Sequence, residues 1–274
     1  MSWITDRTFF LFAVAFYGVS TIYSVFLWRK GFRQDNRVCY CLLAAGFGSH
    51  TLAMIGRGFS LSRCPVNNLY EATIFLEWTI VGAYLLLGAW SRLRFLGAFA
   101  SPLLFGIGVF ALMPSLDPPH GGTPHFEGGW ASMHAASVLL AYGAFGLSSV
   151  AGLMYLTQER DLKVRKLRAV FSMLPPIQRL ELVIGRLSAG GLILLTIGLA
   201  MGARYLKETN GVYWTKDAKI LWSVVVWLMY SGLLLMRWKF ALRGRRFVLG
   251  AVGGFTFVLL TFWGTNLLSA IHQN

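Results

Sequence analysis

Five histidines and one short aromatic loop are the residues of this sequence best equipped for chemistry. The histidines are His50, His120, His125, His134 and His272. The loop, residues 211–219, reads Gly-Val-Tyr-Trp-Thr-Lys-Asp-Ala-Lys and sets Tyr213, Trp214 and Asp217 between two long apolar runs. Neutral imidazole is a common metal ligand, and two imidazoles from opposite sides fill the axial positions of a haem iron. Aromatic rings such as those of Tyr213 and Trp214 offer stacking surface to a porphyrin. Arg57, Arg63, Lys216 or Lys219 could meet its propionates. A zinc site instead needs three or four ligands in a tetrahedron. His134, His272 and one loop histidine could supply three, but no Cys/His spacing signature accompanies them. Haem therefore ranks above zinc. One histidine near a membrane interface is more often a packing residue that finds a hydrogen bond. Two on different helices, flanking one loop, shift the balance towards ligation.

The elements that must position these residues are membrane helices. Of 274 residues, 56% are hydrophobic and 13% charged, with a mean hydropathy of +0.59. A soluble domain has roughly 45–50% apolar and about 25% charged residues. The charge is also segregated into basic clusters between uncharged runs, so the net charge of +14 reflects topology and nucleic acid is not an expected partner. The expected fold is all-α, a single polytopic membrane domain over 1–274 with about eight transmembrane helices. Eight runs can cross a bilayer, which takes about 20 residues of helix: Thr8–Trp28, Val38–Gly56, Tyr70–Trp90, Leu93–Met113, Trp130–Leu156, Leu182–Ala203, Ala218–Met236 and Phe247–Ala270. The period-2 alternation of barrel strands is missing from them. No cleavable signal peptide is expected, because the first run is long enough to span and no small-residue cleavage site follows it. The basic segment Thr157–Glu181 reads as a cytosolic extension of the fifth helix, broken by Pro175 and Pro176. Three cysteines give no disulfide framework, and no Cys-x-x-Cys-His is present to attach haem covalently.

Orientation follows from the basic residues. One set of loops and span ends holds 17 Lys and Arg and the other 7, with Arg186 inside the sixth run. The positive-inside rule puts the rich set in the cytoplasm and both termini outside. All five histidines then fall on or towards the outer side. His134 is one turn into the fifth span, His272 ends the eighth, and His50 lies roughly 10 Å below the outer end of the second. His120 and His125 belong to the Pro/Gly-rich outer loop Pro114–Gly129. Glu77, roughly 9 Å deeper than Glu71 on the third span, is a buried carboxyl that relays protons, is simply hydrogen-bonded, or pairs with Arg57. Trp3, Trp28, Trp90, Trp130 and Trp263 need only the interfacial-belt explanation. Gly190-Gly191 reads as close helix packing.

Several motifs, in order, carry a resemblance. Tyr213-Trp214-Thr215-Lys216-Asp217-Ala218-Lys219 is followed by Trp227-Leu228-Met229-Tyr230. Trp130-Ala-Ser-Met-His134 precedes Leu140-Ala-Tyr142, and Gly264-Thr-Asn266-Leu-Leu-Ser-Ala-Ile-His272 ends the chain's last span. Cys64-Pro65-Val-Asn-Asn68-Leu69-Tyr70-Glu71 runs on to Leu76-Glu77-Trp78. From about His50 to His272 the sequence resembles the tryptophan-rich cytochrome c assembly membrane proteins, the CcsA/ResC/CcmC group with its shorter HemX-type relatives.

The resemblance implies that His134 and His272 are outer axial ligands of haem iron, with Tyr213, Trp214 and Asp217 in a platform between them and His50 a further haem-binding candidate. It implies haem presented at the outer face of the plasma (inner) membrane to the Cys-x-x-Cys-His thiols of an apocytochrome c. An accessory membrane protein with a large outer domain, CcsB/ResB-like, would complete the synthase or haem lyase. No residue of this chain is assigned a catalytic role. The alternative is a HemX-like protein that binds haem and regulates its synthesis or transport without attaching it. A small-molecule transporter would show two matching halves with broken helices, and none are evident. The chain departs from the family pattern at Lys216, Ala218 and Ile220, which stand where tryptophan, proline and glutamate are usual. Leu235 stands where some members carry a deeper histidine, so a complete two-haem channel is not expected.

Overall fold

The computed structural model describes residues 5–29, 36–61, 68–89, 94, 96–113, 129–163, 176–214 and 217–268. Among them all regular structure is helical: α1 (Asp6–Arg29), α2 (Arg37–Leu61), α3 (Leu69–Gly88), α4 (Leu96–Ala111), α5 (Gly129–Lys163), α6 (Ile177–Asn210), α7 (Ala218–Lys239) and α8 (Arg245–Leu268). The fold is an all-α, multi-pass membrane bundle. Among the described residues six helices are long and apolar enough to cross a bilayer, while α4 is shorter. Hydropathy locates the helices well and their ends less well. The sixth run was expected to finish at Ala203, yet α6 continues to Asn210, where Gly211 (φ 72) forms a left-handed cap and donates its N–H to the Lys207 carbonyl. Glycine meets no Cβ penalty there. The fifth helix extends past the apolar run to Lys163, as the basic extension predicts; residues 164–175 lie outside the described residues.

Lipid tails are as apolar as leucine, so apolar area alone does not drive these helices together. Close backbone approach and interhelical hydrogen bonds do more. Helices α5 and α6 pack antiparallel through small residues. A Cβ added to Gly191 would lie 2.5 Å from the Phe145 ring, and one on Gly198 would lie 2.7 Å from Val138. Ser148 and Ser188 share a hydrogen bond of 2.9 Å across the same seam. Gly190 beside Gly191 has nothing within 4 Å, so of that pair only Gly191 serves packing. Other polar ties are Ser24 to Ser101 (2.9 Å) between α1 and α4, and Trp78 Nε1–H to Thr51 Oγ1 (2.9 Å) between α3 and α2. Helix α5 is central, packing on α3, α4, α6 and α8. Large apolar side chains such as Ile22, Leu86, Ile193 and Leu228 point outward, the inverse of a soluble protein and what a lipid surround requires.

Candidate functional site

His134 stands in the second turn of α5, facing α6. Its Nδ1–H donates to the Gly198 carbonyl oxygen across 2.6 Å. A carbonyl can only accept, so the proton is on Nδ1, and Nε2 of the neutral ring keeps its lone pair. That is the arrangement expected of a histidine ready to ligate a metal: one ring nitrogen anchored to the backbone, the other presented. The ring lies on Gly202, where an added Cβ would be 2.7 Å from Nδ1 and 2.8 Å from Cε1. One turn further along α5, Ser137 Oγ points to Met201 Sδ at 4.0 Å. The His134 donor set therefore fits an axial ligand.

Beyond Gly202, α6 rises through eight more residues, about 12 Å of helix, before Gly211 turns the chain into the aromatic loop. Arg204 on this projection lies 5.0 Å from the Trp130 ring centroid at the start of α5. In the loop, Tyr213 and Trp214 are 59% and 50% exposed. The Lys207 ammonium donates to the Tyr213 hydroxyl and sits 4.4 Å from its ring centroid, which holds that ring against the α6 tip. Asp217 is not splayed into the loop. Its carboxylate accepts the Lys219 backbone N–H at 2.9 Å and caps α7. A capping carboxylate satisfies one of the orphan donors at a helix start.

Tryptophans then lash α7 into the bundle. Trp222 Nε1–H donates to Thr261 Oγ1 of α8 at 2.6 Å, and its ring meets Tyr142 of α5 edge-on with centroids 5.6 Å apart. Trp227 Nε1–H donates to Thr196 Oγ1 of α6 at 2.9 Å. The helix carrying the loop's exit is thus tied to the helix leading towards His272 and to the helix bearing His134. His272, Lys216, Arg63, His120 and His125 lie outside the described residues. Among the described residues no group of three His, Cys, Asp or Glu could hold a metal ion.

His50 is placed elsewhere. It is fully buried against α1, with Nδ1 3.2 Å from the Tyr17 hydroxyl and its ring 5.0 Å from that of Phe10. Helix α2 runs to Leu61, which puts His50 about 16 Å below that end, deeper than the sequence predicts. Arg57 also differs from one of its expected roles. It pairs with Glu71 (Nε to Oε1, 3.1 Å) and Asp6 (Nη1 to Oδ2, 3.1 Å), and not with Glu77. Glu77 is fully buried, with neither carboxyl oxygen hydrogen-bonded.

Sequence reasoning missed Gly198, Gly202, Trp222 and Thr261. A signal existed for the first two: Gly198-Leu-Ala-Met-Gly202 is a Gly-x-x-x-Gly stripe on a membrane helix, the pattern that lets another helix approach closely. The family model described as cytochrome C assembly protein matches residues 66–272. The chain belongs to the cytochrome c assembly protein family. The matched segment contains α3 to α8 and every residue of the His134 neighbourhood. Relatives named cytochrome c biogenesis protein CcsA align over most of both chains. One from Prochlorococcus marinus subsp. pastoris is 30% identical over 79% of this chain and 76% of its own. One from Synechococcus sp. (strain JA-3-3Ab) is 30% identical over 74% and 75%. Another from Synechococcus sp. (strain CC9605) is 29% identical over 80% of each.

Proposed function

We propose that this membrane protein acts in cytochrome c biogenesis by holding haem at the outer membrane face and presenting it for covalent attachment to an apocytochrome c. The observation that carries the reading is the His134 imidazole, anchored through Nδ1 to Gly198 with Nε2 left to ligate. Haem is the cargo, and it brings the iron and the vinyl groups that cytochrome thiols add to. The chain's own part is to bind and orient. His134 and His272 would hold the haem iron, and Tyr213 and Trp214 would supply flat apolar surface to the porphyrin. Lys219, two residues past the Asp217 cap, is the cation at the start of α7 that suits a propionate. His50, sealed among Phe10 and Tyr17, is not part of this outer site.

The side of the membrane rests on the excess of Lys and Arg in the opposite loops. The relatives' name supports attachment over the HemX-like alternative, and a CcsB/ResB-like partner with a large outer domain would receive the apocytochrome. A strain lacking the gene should lose covalently bound haem on its c-type cytochromes, and the wild-type gene should restore it. His134→Ala and His272→Ala proteins, inserted at normal levels, should fail to restore it. Normal cytochromes in the deletion strain, or full rescue by both variants, would defeat the proposal.

A further inference from the structure

We propose that Gly202, together with the Gly198 carbonyl, is a positioning seat that fixes the tautomer and direction of the His134 ring; this rests on the reading of His134 as an axial ligand. The geometry is specific. In α6 the Gly198 carbonyl accepts the N–H of residue 202 one turn on, but a carbonyl oxygen has a second lone pair. His134 Nδ1–H uses it at 2.6 Å. Reaching that oxygen requires the imidazole to lie flat along the helix, over position 202. Only a residue without a Cβ leaves room, since a Cβ there would stand 2.7 Å from Nδ1 and 2.8 Å from Cε1. Ser137 and Met201, meeting one turn along α5, fix the spacing of the two helices beside the ring.

The seat acts on the ligand and not on the cargo. With Nδ1 held as the donor, Nε2 is the lone-pair nitrogen in every molecule, and the hydrogen bond makes it a stronger donor to iron. The two glycines differ in what a methyl would disturb. On Gly198 it would press on Val138, including its backbone N at 3.3 Å, and so spread the two helices. On Gly202 it would meet the tip of one rotatable side chain, so the ring moves and the helices stay. Gly202→Ala therefore separates positioning from folding. Gly190→Ala, on the same helix with nothing within 4 Å of the new methyl, is the matched control.

The experiment has two readouts on the purified full-length protein. The first is ring-nitrogen NMR of the haem-free protein with labelled histidine, His134 being assigned by its loss in His134→Ala. Wild type should show a neutral ring protonated at Nδ1, and Gly202→Ala should lose that fixed tautomer. The second is haem titration followed by the absorption spectrum. Gly202→Ala should bind haem about 10–100-fold more weakly, the usual cost of losing an outer-shell partner, with a shifted Soret maximum. Gly190→Ala should match wild type in both. If wild-type His134 proves protonated at Nε2, or if Gly202→Ala equals Gly190→Ala in tautomer and affinity, the seat is overturned. If His134→Ala binds haem with the wild-type spectrum, the ligand reading fails instead, and the tautomer measurement still decides the seat. The wild-type tautomer is informative even if Gly202→Ala does not accumulate.

Discussion

His134, Asp217 and Arg57 show how far residue type alone carries an assignment. Imidazole at the outer end of an apolar helix pointed to ligation, and the anchored Nδ1 agrees with that chemistry. Asp217 belongs to the expected platform, and its carboxylate also caps a helix. The sequence contained that signal too, since an aspartate directly before an apolar helical run is an ordinary N-cap. Arg57 was a candidate partner of Glu77 and pairs with Glu71 and Asp6. A basic residue near several carboxylates has no preference visible in the linear chain, and the choice of Glu71 depends on how α2 meets α3. Glu71 is fully buried and Arg57 nearly so, with side-chain exposures of 0% and 8%, so removing Arg57 takes an opposite charge away from a buried carboxylate. Arg57→Ala should destabilise the detergent-solubilised protein by about 3–5 kcal/mol, the usual cost of breaking a buried pair. Thermal unfolding would check this. A melting temperature equal to wild type would mean that Glu71 finds another partner.

At the scale of elements, the helices were legible and their projections were not. Hydropathy reports bilayer thickness, so it ended the sixth span at Ala203, where Arg204, Lys207 and Glu208 begin. Helix α6 ignores that boundary because nothing stops a helix in water until a residue such as Gly211 adopts a positive φ. The consequence is geometric: the aromatic loop starts about two turns along α6 beyond the His134 ring and must return to reach α7. Its return is fixed by the Asp217 cap and by the Trp222–Thr261 and Trp227–Thr196 hydrogen bonds. Such pairings join helices far apart in sequence, and no periodicity encodes them. Asp217→Ala should cost about 1 kcal/mol of stability as a lost cap, while Asp217→Asn should retain it. If Asp217→Asn also keeps the haem spectrum and Asp217→Ala weakens haem binding, the residue acts by placing the loop. A lost spectrum in the well-capped Asp217→Asn protein would show instead that the carboxylate charge itself is needed.

Across the whole molecule, two regions divide the polar groups. The start of α1, the end of α2 and the start of α3 are locked together by Asp6, Arg57 and Glu71, with the Arg57 and Arg7 guanidinium groups 5.3 and 5.2 Å from the Tyr70 ring centroid. The start of α5, the end of α6, the start of α7 and the facing part of α8 carry the histidine, the exposed aromatic loop and the tryptophan ties, all within the segment that matches the cytochrome c assembly family. The first region is closed by its own ion pairs; the second has an imidazole anchored through one ring nitrogen and two exposed aromatic side chains. That contrast supports placing the proposed haem site at α5–α8. The central claim is that His134 and His272 hold haem there. Its most direct test is the absorption spectrum of the protein purified from cells supplied with haem, beside the His134→Ala/His272→Ala double variant. The account predicts a Soret band in the wild-type protein that the double variant loses. A wild-type protein without that band, or a double variant that keeps it unshifted, would contradict the account.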